Sequence, residues 1–107
     1  MKTPDFSDIS GFDWDDGNRD KNWEKHNVTS GECEDLFFNE PFFTYFDDPH
    51  SRDENRYFGL GETSEGRQLF IVFTLRSNRI RIISARNMSK KERSAYENLK
   101  KDSTFQE

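Results

Sequence analysis

The sequence predicts an α+β fold: a small antiparallel sheet with two N-terminal helices and one C-terminal helix. Three observations carry this reading. Thr29-Ser30-Gly31-Glu32 and Ser89-Lys90-Lys91-Glu92 share the spacing in which a hydroxyl and a carboxylate reciprocally satisfy the free amides of a helix start. Between them, residues 56–61, 67–74 and 79–84 have strand character, and the turns that join them are too short for a crossover, which makes neighbours antiparallel. Helices, a strand meander and a last helix in that order give a layered α+β domain.

Taken along the chain, residues 1–11 form a loose leader with little apolar content and Pro4. Phe12-Asp13-Trp14 alternates ring, charge and ring, as a short first strand does. Asp15 or Asp16 then caps a helix running through Lys21, Trp23 and Lys25, and Asn27, tolerant of the left-handed conformation, closes it. Thr29 opens the second helix, whose Cys33, Leu36 and Phe37 gather on one face before Pro41 ends it. Residues 42–46 make a heavily aromatic strand, and the polar stretch 47–54 an exposed connection of the kind that often carries function. Turns are expected at 62–66 and 75–78. The final helix passes Ala95, Tyr96 and Leu99 and frays beyond, so the folded domain is 12–101 and the tail 102–107.

Composition bounds the function. With 107 residues there is one domain and one modest core. Only 31% of residues are hydrophobic but 11 are Phe, so burial depends on a few large rings. The net charge of -5 is asymmetric: residues 1–54 hold 5 Lys/Arg against 15 Asp/Glu, and residues 55–107 hold 11 against 6. An arginine-rich half can form a local electropositive site even in an acidic protein. Cys33 is the sole cysteine, which excludes an internal disulfide and a cysteine-rich zinc site and suits a small apolar filler. There is no long apolar span or charged leader, so a cytoplasmic protein is expected. No Gly-rich phosphate loop, spaced acidic metal motif or Ser/His/Asp constellation is evident, so neither metal nor cofactor is expected.

Arg79-Ile80-Arg81-Ile82-Ile83-Ser84-Ala85-Arg86 puts fixed positive charge on a strand. Alternation aims Arg81 away from the face of Ile80 and Ile82, and a guanidinium held this way can grip a phosphate bidentately. A solvated sheet face accounts for the pattern equally well. Lys25 and His26 meet at a helix C-terminus, where they could pair a cation with a proton-exchanging imidazole or simply complement the helix dipole. His50, Glu54 and Arg56 cluster before a strand, with Glu54 either orienting Arg56 or forming a surface ion pair. Arg67 and Arg86 extend the positive character, and Tyr96 is a rim or core ring that could also stack on a base.

Read together, Trp14-Asp15, Asn22, Lys25-His26, Val28, Phe37-Phe38, His50-Ser51, Glu54, Arg56-Tyr57, Gly66-Arg67, Leu69, Thr74, Arg81 to Arg86, Glu92-Arg93 and Tyr96 resemble the BrnT toxin family, from about Phe12 to Leu99. The resemblance implies a RelE-like fold and a metal-independent endoribonuclease toxin of a type II toxin–antitoxin pair, cleaving RNA by 2′-hydroxyl attack. It also implies a BrnA-type antitoxin as partner, with operator DNA reached only through that antitoxin and no membrane. On it, Lys25, His26, Arg56 and Arg81 are the expected catalytic residues, and His50, Glu54, Arg67, Arg86 and Tyr96 the expected substrate-binding ones. The alternative is a catalytically inactive binding protein that keeps the fold and the antitoxin contact. Asn18, Asn27 and Ser30 depart from the family pattern, which favours lysine, glycine and a large aromatic there; the first departure would weaken RNA binding.

Overall fold

Both capping boxes close as spaced. Thr29 Oγ1 accepts from the Glu32 amide at 3.1 Å while Glu32 Oε1 accepts from the Thr29 amide at 3.0 Å, and Ser89 and Glu92 make the same exchange at 3.2 and 2.8 Å. A third reciprocal pair opens the first helix: Asp15 Oδ1 accepts from the Asn18 amide at 3.0 Å, and Asn18 Oδ1 from the Asp15 amide at 2.7 Å. The computed structural model describes residues 9–47 and 54–105, and for residues 21–25 and 103–105 the backbone alone. The elements are β1 (Gly11–Phe12), α1 (Asp16–His26), α2 (Ser30–Phe38), β2 (Phe43–Phe46), β3 (Arg56–Glu62), β4 (Gln68–Arg76), β5 (Arg79–Asn87) and α3 (Lys90–Phe105). Asn27 closes α1 at a φ of 53°. The last helix continues to Phe105, past the Leu99 at which the sequence suggested fraying.

The five strands form one sheet in the order β1-β5-β4-β3-β2. β2 to β5 are antiparallel to their neighbours, as the short turns require. The expectation of a purely antiparallel sheet is corrected by β1, which lies parallel to β5. Its segment satisfies outward carbonyls at the start of β5 and in the turn before it: the Ser10 amide donates to Asn78 O and the Asp13 amide to Ile80 O, both at 2.8 Å. Two residues of alternation are too few to show a strand's direction. The β4–β5 hairpin is tight, with Ser77 and Asn78 both at positive φ (51° and 62°), the pair of conformations that matches strand twist.

β5 carries a bulge. Phe73 pairs with Ile82 but Val72 pairs with Ser84, leaving Ile83 as the extra residue. Strict alternation would put Arg86, five residues on, opposite to Arg81. The bulge resets the phase, so that Ile80, Ile82 and Ala85 are buried while Arg81 and Arg86 share the other face. The buried Asn18 side chain, 5% exposed, holds the spot, donating from Nδ2 to Ile82 O at 3.2 Å and to Asp13 O at 3.0 Å. Asn18 is therefore a backbone clamp at the bulge.

One sheet face holds the main core, where Leu69, Ile71, Phe73, Ile80, Ile82 and Ala85 meet Val28, Cys33 and Leu36. Cys33 is fully buried, and that burial pushes its thiol up to about 12, which suits the filler role. The Phe42 ring lies against the β3 backbone, and a Cβ on either Gly59 or Gly61 would stand 2.7 Å from it, so both positions need glycine. α3 covers one end of the opposite face, where its Tyr96, with Met88 from the segment leading into the helix, packs against Leu60, Phe43 and Phe70. Among the described residues no other helix packs over the remainder of that face, the open face of the sheet.

Candidate functional site

The open face presents β3, β4 and β5 in register. Arg56 pairs with Thr74 and Thr74 with Arg81, so the two arginines flank one threonine, with Cα atoms two strand spacings, about 10 Å, apart. Thr74 is 1% exposed, its hydroxyl donating to Asn55 O at 2.6 Å. In the next row Arg76 faces Arg79. Like charges directly opposite repel, and each is turned to a separate acceptor. Arg76 donates to both oxygens of Glu54, at 3.0 and 2.9 Å, and Arg79 to Phe12 O at 2.7 Å.

Arg81 reaches from β5 to the start of α1, donating to Asp15 Oδ2 at 2.9 Å with Asp13 Oδ1 at 3.5 Å. The Asn18 amide, and after it the Arg81 guanidinium, hold the Asp15 carboxyl below the usual carboxylate range. Glu54 is held low chiefly by hydrogen bonds from Arg76, with the charges of Arg76, Arg56 and Arg81 adding to the effect. Glu54, Arg56 and Arg81, all legible in the sequence as site candidates, thus converge at one end of the open face. The direct partner of Glu54 is Arg76, which the sequence reading did not select.

Arg86 lies on the same face, nearer α3. Its guanidinium pairs with both oxygens of Glu92 at 2.8 and 2.9 Å and sits 4.3 Å from the Phe70 ring centroid. Glu92 therefore serves the capping box of α3 and the arginine together, and hydrogen bonds from Arg86 hold its carboxyl low.

The other selected residues lie elsewhere. Arg67 precedes β4 and closes the far end of α1, donating to His26 O at 3.2 Å, Asn27 O at 2.9 Å, Asn87 Oδ1 at 2.8 Å and the Glu32 carboxylate at 3.0 and 3.1 Å. His26 is half-buried at that end. The 11 residues of α1, roughly 16 Å of helix, separate it from the Asp15–Arg81 contact. The Lys25 side chain and all of His50 lie outside the described residues. Tyr96 is 1% exposed with its hydroxyl donating to Pro41 O at 2.9 Å, and burial pushes the phenol up to about 12. It anchors α3.

Arg67 therefore carries a stability prediction. Burial works to raise the Glu32 carboxyl, but the Thr29 amide and Arg67 outweigh it and the group titrates below its ordinary 4.5. A depressed folded pKa contributes stability that is complete above the unfolded value and lost as pH falls through the folded one. Arg67→Met should cost about 1–3 kcal/mol at neutral pH, with the deficit against the parent chain shrinking below pH 4.5 as Glu32 protonates. Denaturant unfolding at a series of pH values reads both. A deficit independent of pH would contradict the Glu32 clamp.

Among the described residues no group of three or more His, Cys, Asp or Glu side chains could hold a metal ion, and no helix is long and apolar enough to cross a membrane. The fold and this face define a small α+β domain whose sheet displays guanidiniums in register, suited to polyanion recognition. The family model described as "Ribonuclease toxin, BrnT, of type II toxin-antitoxin system" matches residues 14–92, and the chain belongs to that family. Ribonuclease toxins define the family, and a type II system supplies an antitoxin protein as partner. A search of curated proteins found no match.

Proposed function

We propose that this chain is a metal-independent endoribonuclease toxin with a RelE-like fold, restrained in the cytoplasm by a BrnA-type antitoxin through which any operator DNA is reached. The observation that supports this reading best is the convergence of Glu54 with Arg56 and Arg81 on the open face. RNA carries its own nucleophile. The 2′-oxygen attacks the adjacent phosphorus, its proton passes to the ionised Glu54 carboxylate, and the bond to the 5′-oxygen breaks. The departing oxygen takes a proton from water, leaving a 2′,3′-cyclic phosphate and a 5′-hydroxyl. Arg56 and Arg81 donate to the non-bridging oxygens as negative charge builds, a role that fixed guanidiniums fill without a metal.

The expected site is redistributed on this reading. His26, one length of α1 away, contacts the RNA strand beyond the scissile phosphate. Arg86 binds RNA on the same face, while Arg67 and Tyr96 position backbone. One observation favours the alternative, an inactive binding protein: Asp15 and Glu92 already occupy Arg81 and Arg86, so phosphate must compete with them.

The test is purified chain, free of antitoxin, incubated with RNA in excess EDTA and again with magnesium, with the product ends identified. Equal scission in both, with cyclic phosphate ends, is expected. Intact RNA from a folded chain that still binds its antitoxin would establish the alternative, and cleavage only with magnesium would overturn metal independence.

A further inference from the structure

The open face also carries a column of rings that the cleavage chemistry does not use. Tyr45 on β2 stacks on Phe58 of β3, with centroids 5.2 Å apart and planes 27° apart; Phe58 stacks on Phe70 of β4 at 5.7 Å and 26°. Arg86 of β5 lies over Phe70 at 4.3 Å. The column thus crosses four strands, closed at one end by a guanidinium. At the other end Tyr45 lies on the edge strand, its ring stacked on Phe58. All three rings are only half-buried.

We infer that this column is a base-stacking subsite, in which an unpaired base of single-stranded RNA extends the stack beyond Tyr45 while its backbone crosses toward Arg56 and Arg81. The inference rests on RNA as the substrate proposed above. Phe58 and Arg56 are two residues apart on one face of β3, about 7 Å along the strand, so the stack and the phosphate-binding guanidiniums adjoin. Single-strand recognition needs that pairing of aromatic surface with guanidinium, and it tolerates sequence because every base has a π-face. A protein partner would need no such registration between the ring column and the arginine row.

Binding is measured by fluorescence anisotropy with a labelled 2′-O-methyl RNA hexamer, which lacks the nucleophile and cannot be cut, and with the same hexamer carrying one central abasic site. Tyr45→Leu and Phe58→Leu keep apolar bulk, and circular dichroism with thermal melting verifies folding for each. About tenfold weaker binding of the intact hexamer by Tyr45→Leu is expected, with a smaller loss for Phe58→Leu and little change toward the abasic strand. Unchanged binding, an equal loss on both strands, or no binding by the parent chain would overturn the inference. So would an effect confined to antitoxin affinity, which would assign the face to protein. Because the probe cannot be cleaved, cleavage by a parent chain indifferent to the ring variants defeats this inference alone. Ring-dependent binding without any cleavage of ordinary RNA defeats the catalytic reading alone.

Discussion

Arg81→Ala should lower RNA cleavage by about two to three orders of magnitude while leaving a folded protein. Removing one preorganised donor from a developing oxyanion costs roughly that much, and Arg81 sits on a paired strand beside Thr74, from which its guanidinium meets a phosphate by exchanging the Asp15 carboxylate for it. The stability cost is small by comparison. Asp15 is an exposed carboxylate that keeps its bond from the Asn18 amide when the arginine is gone, and a solvent-screened surface pair of this kind contributes little to stability. Arg81→Lys restores charge without the planar fork, so it should recover only part of the lost rate. Single-turnover cleavage with melting curves separates chemistry from folding. Full activity in a folded Arg81→Ala protein would remove this residue from the site.

The elements that were readable in the sequence are those fixed by local chemistry. Thr29 with Glu32 and Ser89 with Glu92 are three residues apart, and such a spacing carries its own geometry. Asn27 announces its positive φ by residue type. What was not readable depends on partners distant in sequence. Ile83 looks like any strand residue, and only the pairing with β4 and the Asn18 side chain, 64 positions from the Ile82 carbonyl it bonds, make it a bulge. Without that bulge the shared face of Arg81 and Arg86 cannot be derived by alternation.

The same limit governed the site. Arg67 and Arg81 are equivalent as letters, yet one closes α1 and the other faces the open sheet. Their difference lies in the carboxylates they meet, Glu32 and Asp15, which stand 35 and 66 positions away. The aromatic column did leave a trace: Tyr45, Phe58 and Phe70 each alternate with core-facing neighbours on their strands. Because they alternate with core-facing residues, they mark a second aromatic face on the same strands, distinct from the Phe that fill the core.

Phe73→Ala should bring the fold close to unfolding at ambient temperature. Phe73 is fully buried at the centre of β4, with its ring edge-on to Phe37 at 5.2 Å and stacked on Tyr57 at 5.6 Å. It links α2 to the sheet through Phe37 and β3 through Tyr57. Truncating a buried Phe to Ala costs about 3–5 kcal/mol, against a total of about 5–15 kcal/mol for a typical domain. A core drawn from so few apolar residues has little to close the cavity with. The effect should also reach the site, because Phe73 pairs with Ile82 immediately before the bulge that sets the face of Arg86. Phe73→Leu, which keeps most of the volume, should lose markedly less stability and retain cleavage per folded molecule. Urea unfolding of the three chains gives the ranking, and an Ala variant within 1 kcal/mol of the parent, roughly the scale of a surface substitution, would mean that Phe73 does not hold these elements together.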